Sequence, residues 1–194
     1  MTLLALLRHG PTAANREHRL QGRADTPLDQ AGRAAVARWR LPSETTEYRW
    51  LTSPLRRCVE TASLLGLAAE IEPLLIEMDW GDWEGQALPQ LRHVSPEVVG
   101  LEALGLDLQP PGGETPRSVQ ERLSPLFREI ASSHRNTGGI SHKGIIRATL
   151  SLATGWDMRA KAPIRLAWDA VHFFRLDPSG VPQIERLNCP LSPP

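Results

Sequence analysis

The sequence predicts a three-layer α/β/α sandwich built on a mainly parallel sheet. Three observations carry this. Strand-like and helix-like segments alternate along the chain. The first apolar run, residues 3–7 (LLALL), has no polar interruption, as expected of a strand covered on both faces. Two short strand-like runs also lead directly into helix starts, at Ser53-Pro54 and at Ser141-His142-Lys143.

Taken in order, residues 3–7 form the first strand. Residues 10–28, rich in Gly, Pro, Thr, Asn and Arg, form a loop with room for one short helix. Asp29 caps a helix to about residue 40, with Ala34, Ala35 and Val36 inside it. Residues 48–52 form the second strand. Ser53 and Pro54 then supply a capping hydroxyl and a first-turn proline for a helix to about residue 65, which Gly66 ends. Residues 74–77 resume an extended apolar segment, and 79–85 (DWGDWEG) are a loop. Residues 86–105 read as short helices broken by Pro89 and Pro96, and 109–114 (QPPGGE) as a turn-rich loop. Thr115-Pro116 opens a helix to about residue 133, in which Pro125 predicts a kink or break. Residues 138–141 form a strand, 143–153 a helix, and 164–176 and 183–187 further strands. The tail NCPLSPP is expected to be irregular.

The 194 residues suit one domain over 1–194, with 86–115 as a small helical or loop cap. Hydrophobic residues make up 41% and charged residues 23%, a globular balance. Formal net charge is zero, and no basic helix or aromatic stacking array is present, which argues against a nucleic-acid partner. No stretch reaches the roughly 18 apolar residues of a membrane helix. The opening MTLLALLRHG lacks a basic n-region and a cleavage site, so it reads as a strand rather than a signal peptide. Cys58 and Cys189 form neither a CxxC pair nor a Cys/His cluster, a pattern suited to a reducing cytoplasm and offering no metal site.

In parallel α/β sheets ligands bind beyond the carboxyl ends of the strands. The residues expected there share one chemistry. Arg8 and His9 follow the first strand: a planar cation that matches phosphate oxygens, and an imidazole nucleophile. Gly10 allows close backbone approach. Arg57 lies in the first turn of the helix after the second strand. A cation there opposes the helix dipole and so suggests an anionic partner. Glu77 ends an extended segment, where a carboxylic acid can protonate a leaving oxygen. His142 stands between strand and helix, suited to hydrogen-bond a phosphoryl oxygen.

These residues, in this order, resemble the histidine phosphatase superfamily, the phosphoglycerate-mutase-like group. Arg8-His9-Gly10 matches its Arg-His-Gly hallmark, with Thr12 and Asn15 in the extended form. Gln21-Gly22 and Thr26-Pro27-Leu28 match the elements that follow. Ser53 to Arg57 matches Ser-x-Leu-x-Arg and assigns the phosphate-binding arginine to Arg57 rather than Arg56. Glu77, Gly81 and Trp83-Glu84-Gly85 match the acidic segment, Gly112 to Thr115 the Gly-Gly-Glu-Ser/Thr element, and Ser141-His142 the second histidine. The resemblance covers about residues 3–155 and implies a three-layer α/β/α fold with no metal or other cofactor.

It further implies a phosphomonoesterase that acts on a small phosphorylated metabolite through a phosphohistidine, in the cytoplasm that the cysteine pattern suits. Arg8, Arg57 and His142 clamp the phosphoryl oxygens, His9 attacks phosphorus, and Glu77 protonates the leaving group. Asn15, Gln21, Gly22 and Thr115 are expected substrate contacts. Lys143 replaces the glycine that usually follows the second histidine, and either contacts the substrate or points outward. Arg19 and Arg23 are candidates for tuning charge preference. A 2,3-bisphosphoglycerate-dependent mutase and a non-catalytic phospho-ligand-binding module are the alternatives. The shortness of 86–111, where such mutases carry a longer insertion, favours hydrolysis. Oligomeric state is left open.

Overall fold

The computed structural model describes residues 2–191. Its sheet has six strands: β1 (Thr2–Arg8), β2 (Arg49–Thr52), β3 (Glu70–Ile71), β4 (Thr137–Ser141), β5 (Ala170–Leu176) and β6 (Pro182–Pro190), in the order β3-β2-β4-β1-β5-β6. β1, β2 and β3 pair in parallel through β4 and β2, while β5 and β6 add an antiparallel edge. The helices are α1 (Ala13–Arg16), α2 (Gln30–Val36), α3 (Arg56–Leu64), α4 (Leu88–Val94), α5 (Glu97–Glu102), α6 (Pro116–Ser133) and α7 (Lys143–Thr154). None among the described residues is long and apolar enough to cross a membrane.

The unbroken apolar run of β1 follows from its place inside the sheet. Leu4 and Leu6 face a large core with Val119, Leu123, Phe127 and Ile130 of α6 and Ile145, Ile146 and Leu150 of α7. Ala5 and Leu7 face the opposite layer, with Val171, Phe173 and Cys189. Beside that layer, Trp50, Cys58, Ala62 and Ile140 pack α3 against β2 and β4. A separate small cluster of Trp83, Leu91 and Val98, with Leu20, Trp80 and Leu101 against it, holds α4 and α5 together over the loops.

Several expectations are corrected. The helix after β2 starts at Arg56, not at Ser53-Pro54, and its N-cap residue Leu55 makes no side-chain cap. The Asp25 carboxylate accepts from the Arg56 N–H at 2.7 Å, so this helix start is already met by an anion from the chain. Residues 74–77 are not a strand. β3 is only two residues long, and Pro73–Leu75 form a 3-10 turn opened by Glu72, whose carboxylate accepts from the Leu74 N–H at 2.9 Å. α2 ends at Val36, short of residue 40, and Trp39 turns into the core.

Pro125 does not break α6. Leu123, Leu126, Phe127 and Ile130 are buried around it, and tertiary packing outweighs one missing backbone bond. Pro89 lies in the first turn of α4, and Pro96 is the N-cap residue of α5, so both prolines start helices. Of the tail, 188–190 complete β6, and 192–194 lie outside the described residues.

Gly138 in β4 lies under the Trp50 indole, where an added Cβ would approach Cε3 to 2.5 Å. Neither backbone nor ring can yield cheaply in this core. Gly138→Ala is therefore expected to destabilise the fold by about 1–3 kcal/mol, read from urea unfolding midpoints at unchanged m-value.

Candidate active site

The site begins with strand register. Arg8 pairs with Ser141 across β1 and β4, and Thr52 with Ile140 across β2 and β4. The His9 N–H donates to the Ser141 carbonyl and the Ser53 N–H to the Ile140 carbonyl, both at 2.9 Å. The chains leaving three adjacent strands thus carry Arg8 and His9, Ser53, and His142 at one level.

His9 is 4% exposed. Its Nδ1 lies 2.7 Å from the Gly10 carbonyl, which can only accept, so Nδ1 carries the hydrogen. In the neutral ring Nε2 is then the nitrogen with the free lone pair. Burial, then the charges of Arg8 and Arg57, hold the imidazole well below the ordinary histidine pKa. The Gly10 N–H donates to Thr61 Oγ1 at 2.9 Å, and that hydroxyl donates to the Arg57 carbonyl at 2.6 Å. Thr61 therefore ties the His9 turn to α3. Gly10 is needed for a reason other than ligand approach: a Cβ there would come within 2.3 Å of Val36 on α2.

Arg57 is 1% exposed. Its Nη1 donates to the Ala24 carbonyl at 2.7 Å and its Nη2 to the Gly22 carbonyl at 2.8 Å. Its Nε, like that of Arg8, is buried without a hydrogen-bond partner. A buried unmet donor costs about 1–3 kcal/mol, more when charged. Two such donors flanking a neutral imidazole fit a multiply charged oxyanion.

Glu77 is 9% exposed. Its Oε1 accepts from the Met78 N–H at 2.8 Å and its Oε2 from the Gly144 N–H, in the first turn of α7, at 3.2 Å. Burial outweighs these bonds and the nearby arginines, and raises the carboxyl pKa. A Cβ on Gly144 would come within 2.2 Å of Oε1, so only glycine leaves room for the acid.

His142 is fully buried, its ring 5.2 Å from that of His9. Its Nε2 lies 2.7 Å from Ser53 Oγ. Leu55 N–H donates to the same hydroxyl at 3.4 Å. Burial first, then His9 and the two arginines, hold the His142 pKa well below the ordinary value.

The five principal residues therefore converge. The residues expected as further substrate contacts also make bonds within the fold. Asn15 and Thr12 form the capping box of α1. Gln21 Oε1 lies 3.0 Å from Thr12 Oγ1 and 2.8 Å from Thr26 Oγ1. Gly22, with φ +51°, lends its carbonyl to Arg57, and Thr115 caps α6. Lys143 is exposed, its Nζ 5.3 Å from the Trp168 ring centre; the Arg8 guanidinium lies 5.6 Å from that same ring. Arg19 pairs with Glu17 and donates to the Gly85 carbonyl, while Arg23 reaches Asp79 and Glu114.

The sequence presents Ser53 as a helix cap and gives Trp168 no motif; the strand expected from residue 164 starts only at Ala170, and Trp168 lies in the irregular segment before it. Thr61 had a usable signal, one helical turn after Arg57 on the same face. Among the described residues, no group of three or more His, Cys, Asp or Glu could hold a metal ion.

The family model of the histidine phosphatase superfamily (branch 1) matches residues 4–190. The glucosyl-3-phosphoglycerate phosphatase of Mycobacterium tuberculosis is 32% identical over 160 residues, 75% of this chain and 72% of that protein. Phosphoglycerate mutase-like protein 4 of Arabidopsis thaliana is 28% identical over 157 residues, 75% of this chain and 68% of that protein. The solved structure of a mycobacterial glucosyl-3-phosphoglycerate phosphatase complexed with VO3 superposes with a TM-score of 0.80 at 26% identity, over 97% of this chain and 100% of that one. By family match, identity and fold together, the chain belongs to the histidine phosphatase superfamily, branch 1.

Proposed function

We propose that the protein is a metal-independent phosphomonoesterase that works through a phosphohistidine on His9. The observation that carries this is the pairing of a neutral, tautomer-fixed His9 with the two buried, unpartnered Nε donors of Arg8 and Arg57. Arg8, Arg57 and His142 bind the phosphoryl oxygens and neutralise charge as it develops. His9 Nε2 forms a bond to phosphorus as the ester P–O bond breaks in line. The departing oxygen takes the proton of Glu77. Water then gives a proton to the Glu77 carboxylate and its oxygen to phosphorus. The P–N bond breaks, phosphate leaves, and His9 is again neutral with Glu77 again protonated.

Both pKa displacements support these roles. The nucleophile must be neutral, and burial lowers the His9 pKa; the acid must hold a proton, and burial raises the Glu77 pKa. Lys143 and Arg8, facing the same indole, favour a substrate with a second anionic group. The name of the mycobacterial relative makes phosphorylated glycerates the first compounds to try.

The test is phosphate release from p-nitrophenyl phosphate and from glycerol 3-phosphate with EDTA present. His9→Ala is expected to abolish turnover. Glu77→Gln is expected to lower kcat/KM for glycerol 3-phosphate by about 10²–10⁴-fold and much less for the aryl ester, whose leaving group needs no proton. Isomerisation dependent on 2,3-bisphosphoglycerate without net phosphate release would instead identify a mutase, and phosphate binding without turnover a binding module.

In a pH profile, corrected for substrate ionisation, activity is lost downward as His9 protonates and upward as Glu77 ionises. The acid limb should lie below the ordinary imidazole pKa and the alkaline limb above the ordinary carboxylate value. Glu77→Gln should erase the alkaline limb.

Orthovanadate should raise the melting temperature of the wild-type protein, the bound anion stabilising by about 2.7 kcal/mol at 100 times its Kd. Arg57→Met should remove most of that gain. Lys143→Met should weaken kcat/KM for 3-phosphoglycerate roughly tenfold relative to glycerol 3-phosphate, as loss of a charged hydrogen bond would. Equal losses on both substrates would assign Lys143 no part in charge preference.

A further inference from the structure

Glu77 sits on a stretch with no regular secondary structure, between the 3-10 turn at Pro73–Leu75 and another at Gly81–Trp83. Neither a strand ladder nor a helix holds its carboxyl against Gly144. A side-chain pair from outside the reacting groups shares this work with Ser141, whose Oγ donates to the Leu75 carbonyl at 2.7 Å. Arg122, on α6, donates through Nη1 to the Leu74 carbonyl and through Nη2 to the Ile76 carbonyl, the latter at 2.7 Å. Its Nε donates to Glu114 Oε1 at 2.8 Å. Glu114 in turn grips the other side of the stretch. Its Oε2 accepts from the Asp79 N–H at 3.3 Å, and its own N–H donates to the Asp79 carbonyl at 2.9 Å. Residues 74, 76 and 79 are therefore fixed to one guanidinium–carboxylate pair, with Glu77 between the held points.

Both partners are largely buried, with side chains 15% and 13% exposed. The planar fork of Arg122 is what allows one side chain to meet two carbonyls and a carboxylate together; a lysine ammonium on a flexible stem cannot. The Glu114 carboxylate also lies 3.5 Å from Arg23 Nη2. Arg23 belongs to the loop whose Gly22 and Ala24 carbonyls hold Arg57.

We propose that Arg122 and Glu114 are positioning residues for the general acid: they hold the 74–79 strap so that the Glu77 carboxyl stays buried at the reacting oxygen. The proposal rests on Glu77 being the proton donor. Neither residue hydrogen-bonds Arg8, His9, Arg57 or His142; their partners are the strap, each other and Arg23.

The experiment compares Arg122→Met, Arg122→Lys and Glu114→Gln with the wild type and Glu77→Gln on p-nitrophenyl phosphate and glycerol 3-phosphate, with thermal melts as a folding control. Misplaced catalytic groups cost on the order of a hundredfold per ångström. Arg122→Met should therefore lose about ten- to a hundredfold in kcat/KM on the alkyl ester and at most a few-fold on the aryl ester. Glu114→Gln should show the same selectivity, more weakly. Arg122→Lys should not restore the wild-type ratio. The alkaline limb should move to lower pH in Arg122→Met, because a carboxyl freed toward water loses the burial that raises its pKa. Combined with Glu77→Gln, Arg122→Met should add no further selectivity, since both act through one carboxyl.

Equal losses on both esters, an unmoved alkaline limb, or additive selectivity in the double variant would overturn the proposal and leave Arg122 a structural residue only. If Arg122→Met does not fold, Glu114→Gln decides by the same ratio and limb. If Glu77→Gln itself shows no leaving-group selectivity, the acid assignment fails and this proposal with it. If Glu77→Gln shows selectivity and the Arg122 and Glu114 variants do not, only this proposal fails.

Discussion

β4 is hydrogen-bonded in parallel to β1 on one side and to β2 on the other, and the candidate site depends on those three strands ending together. Parallel pairing makes every carboxyl end point the same way. The residues immediately beyond the ends, His9, Ser53 and His142, therefore meet without any loop having to search for them. The glycines of β4 belong to the same constraint. Gly138 leaves space for Trp50 and Gly139 for Leu6, so β4 can lie between two wide apolar layers and still be straddled by its neighbours.

Burial does the electrostatic work once the residues have met. Low polarity disfavours charge on every ionisable group, but the outcome differs by type. His9 and His142 become neutral, and Glu77 holds its proton more firmly. Arg8 and Arg57 keep their charge, because guanidinium does not give up its proton in a protein. The same environment thus yields a neutral nucleophile, a carboxyl with a raised pKa and two cations with unmet donors. That combination is poor for the resting protein and good for a bound oxyanion.

The loops around the site are held by backbone contacts that only small residues permit. Gly81, with φ +50°, lies against Gly113, and a Cβ on it would come within 2.1 Å of the Pro111 carbonyl. This close pairing brings Glu114 beside Asp79 and so brings the Arg122 pair to the strap that carries Glu77. Glu84 likewise occupies the space a Gly22 side chain would need and accepts from the Arg23 N–H at 2.7 Å. The acidic segment and the two glycine-rich segments, remote in sequence, are in this way parts of one scaffold.

The sequence alone determined the fold class and the burial of the first strand on both faces, and it put forward Arg8, His9, Arg57, Glu77 and His142 as the candidate residues that the fold brings together. These depend on local pattern: apolar continuity, strand-to-helix order, and reactive residues next to strand ends. Tertiary structure decided what local pattern cannot encode. Ser53 looked like a helix cap, yet its hydroxyl meets His142 from a segment 89 positions away. Glu77 looked like a strand end, yet it rides on an irregular stretch held by Arg122 and Glu114. Asn15, Gln21, Gly22 and Thr115 occupy motif positions, and the fold adds to them caps, braces and a carbonyl for Arg57. Pro125 stayed inside a helix because the buried side chains around it outweigh one lost backbone bond. For Ser53, Glu77 and Gly22 the deciding contact joins residues far apart in the chain, and burial, not local preference, gives that contact its strength.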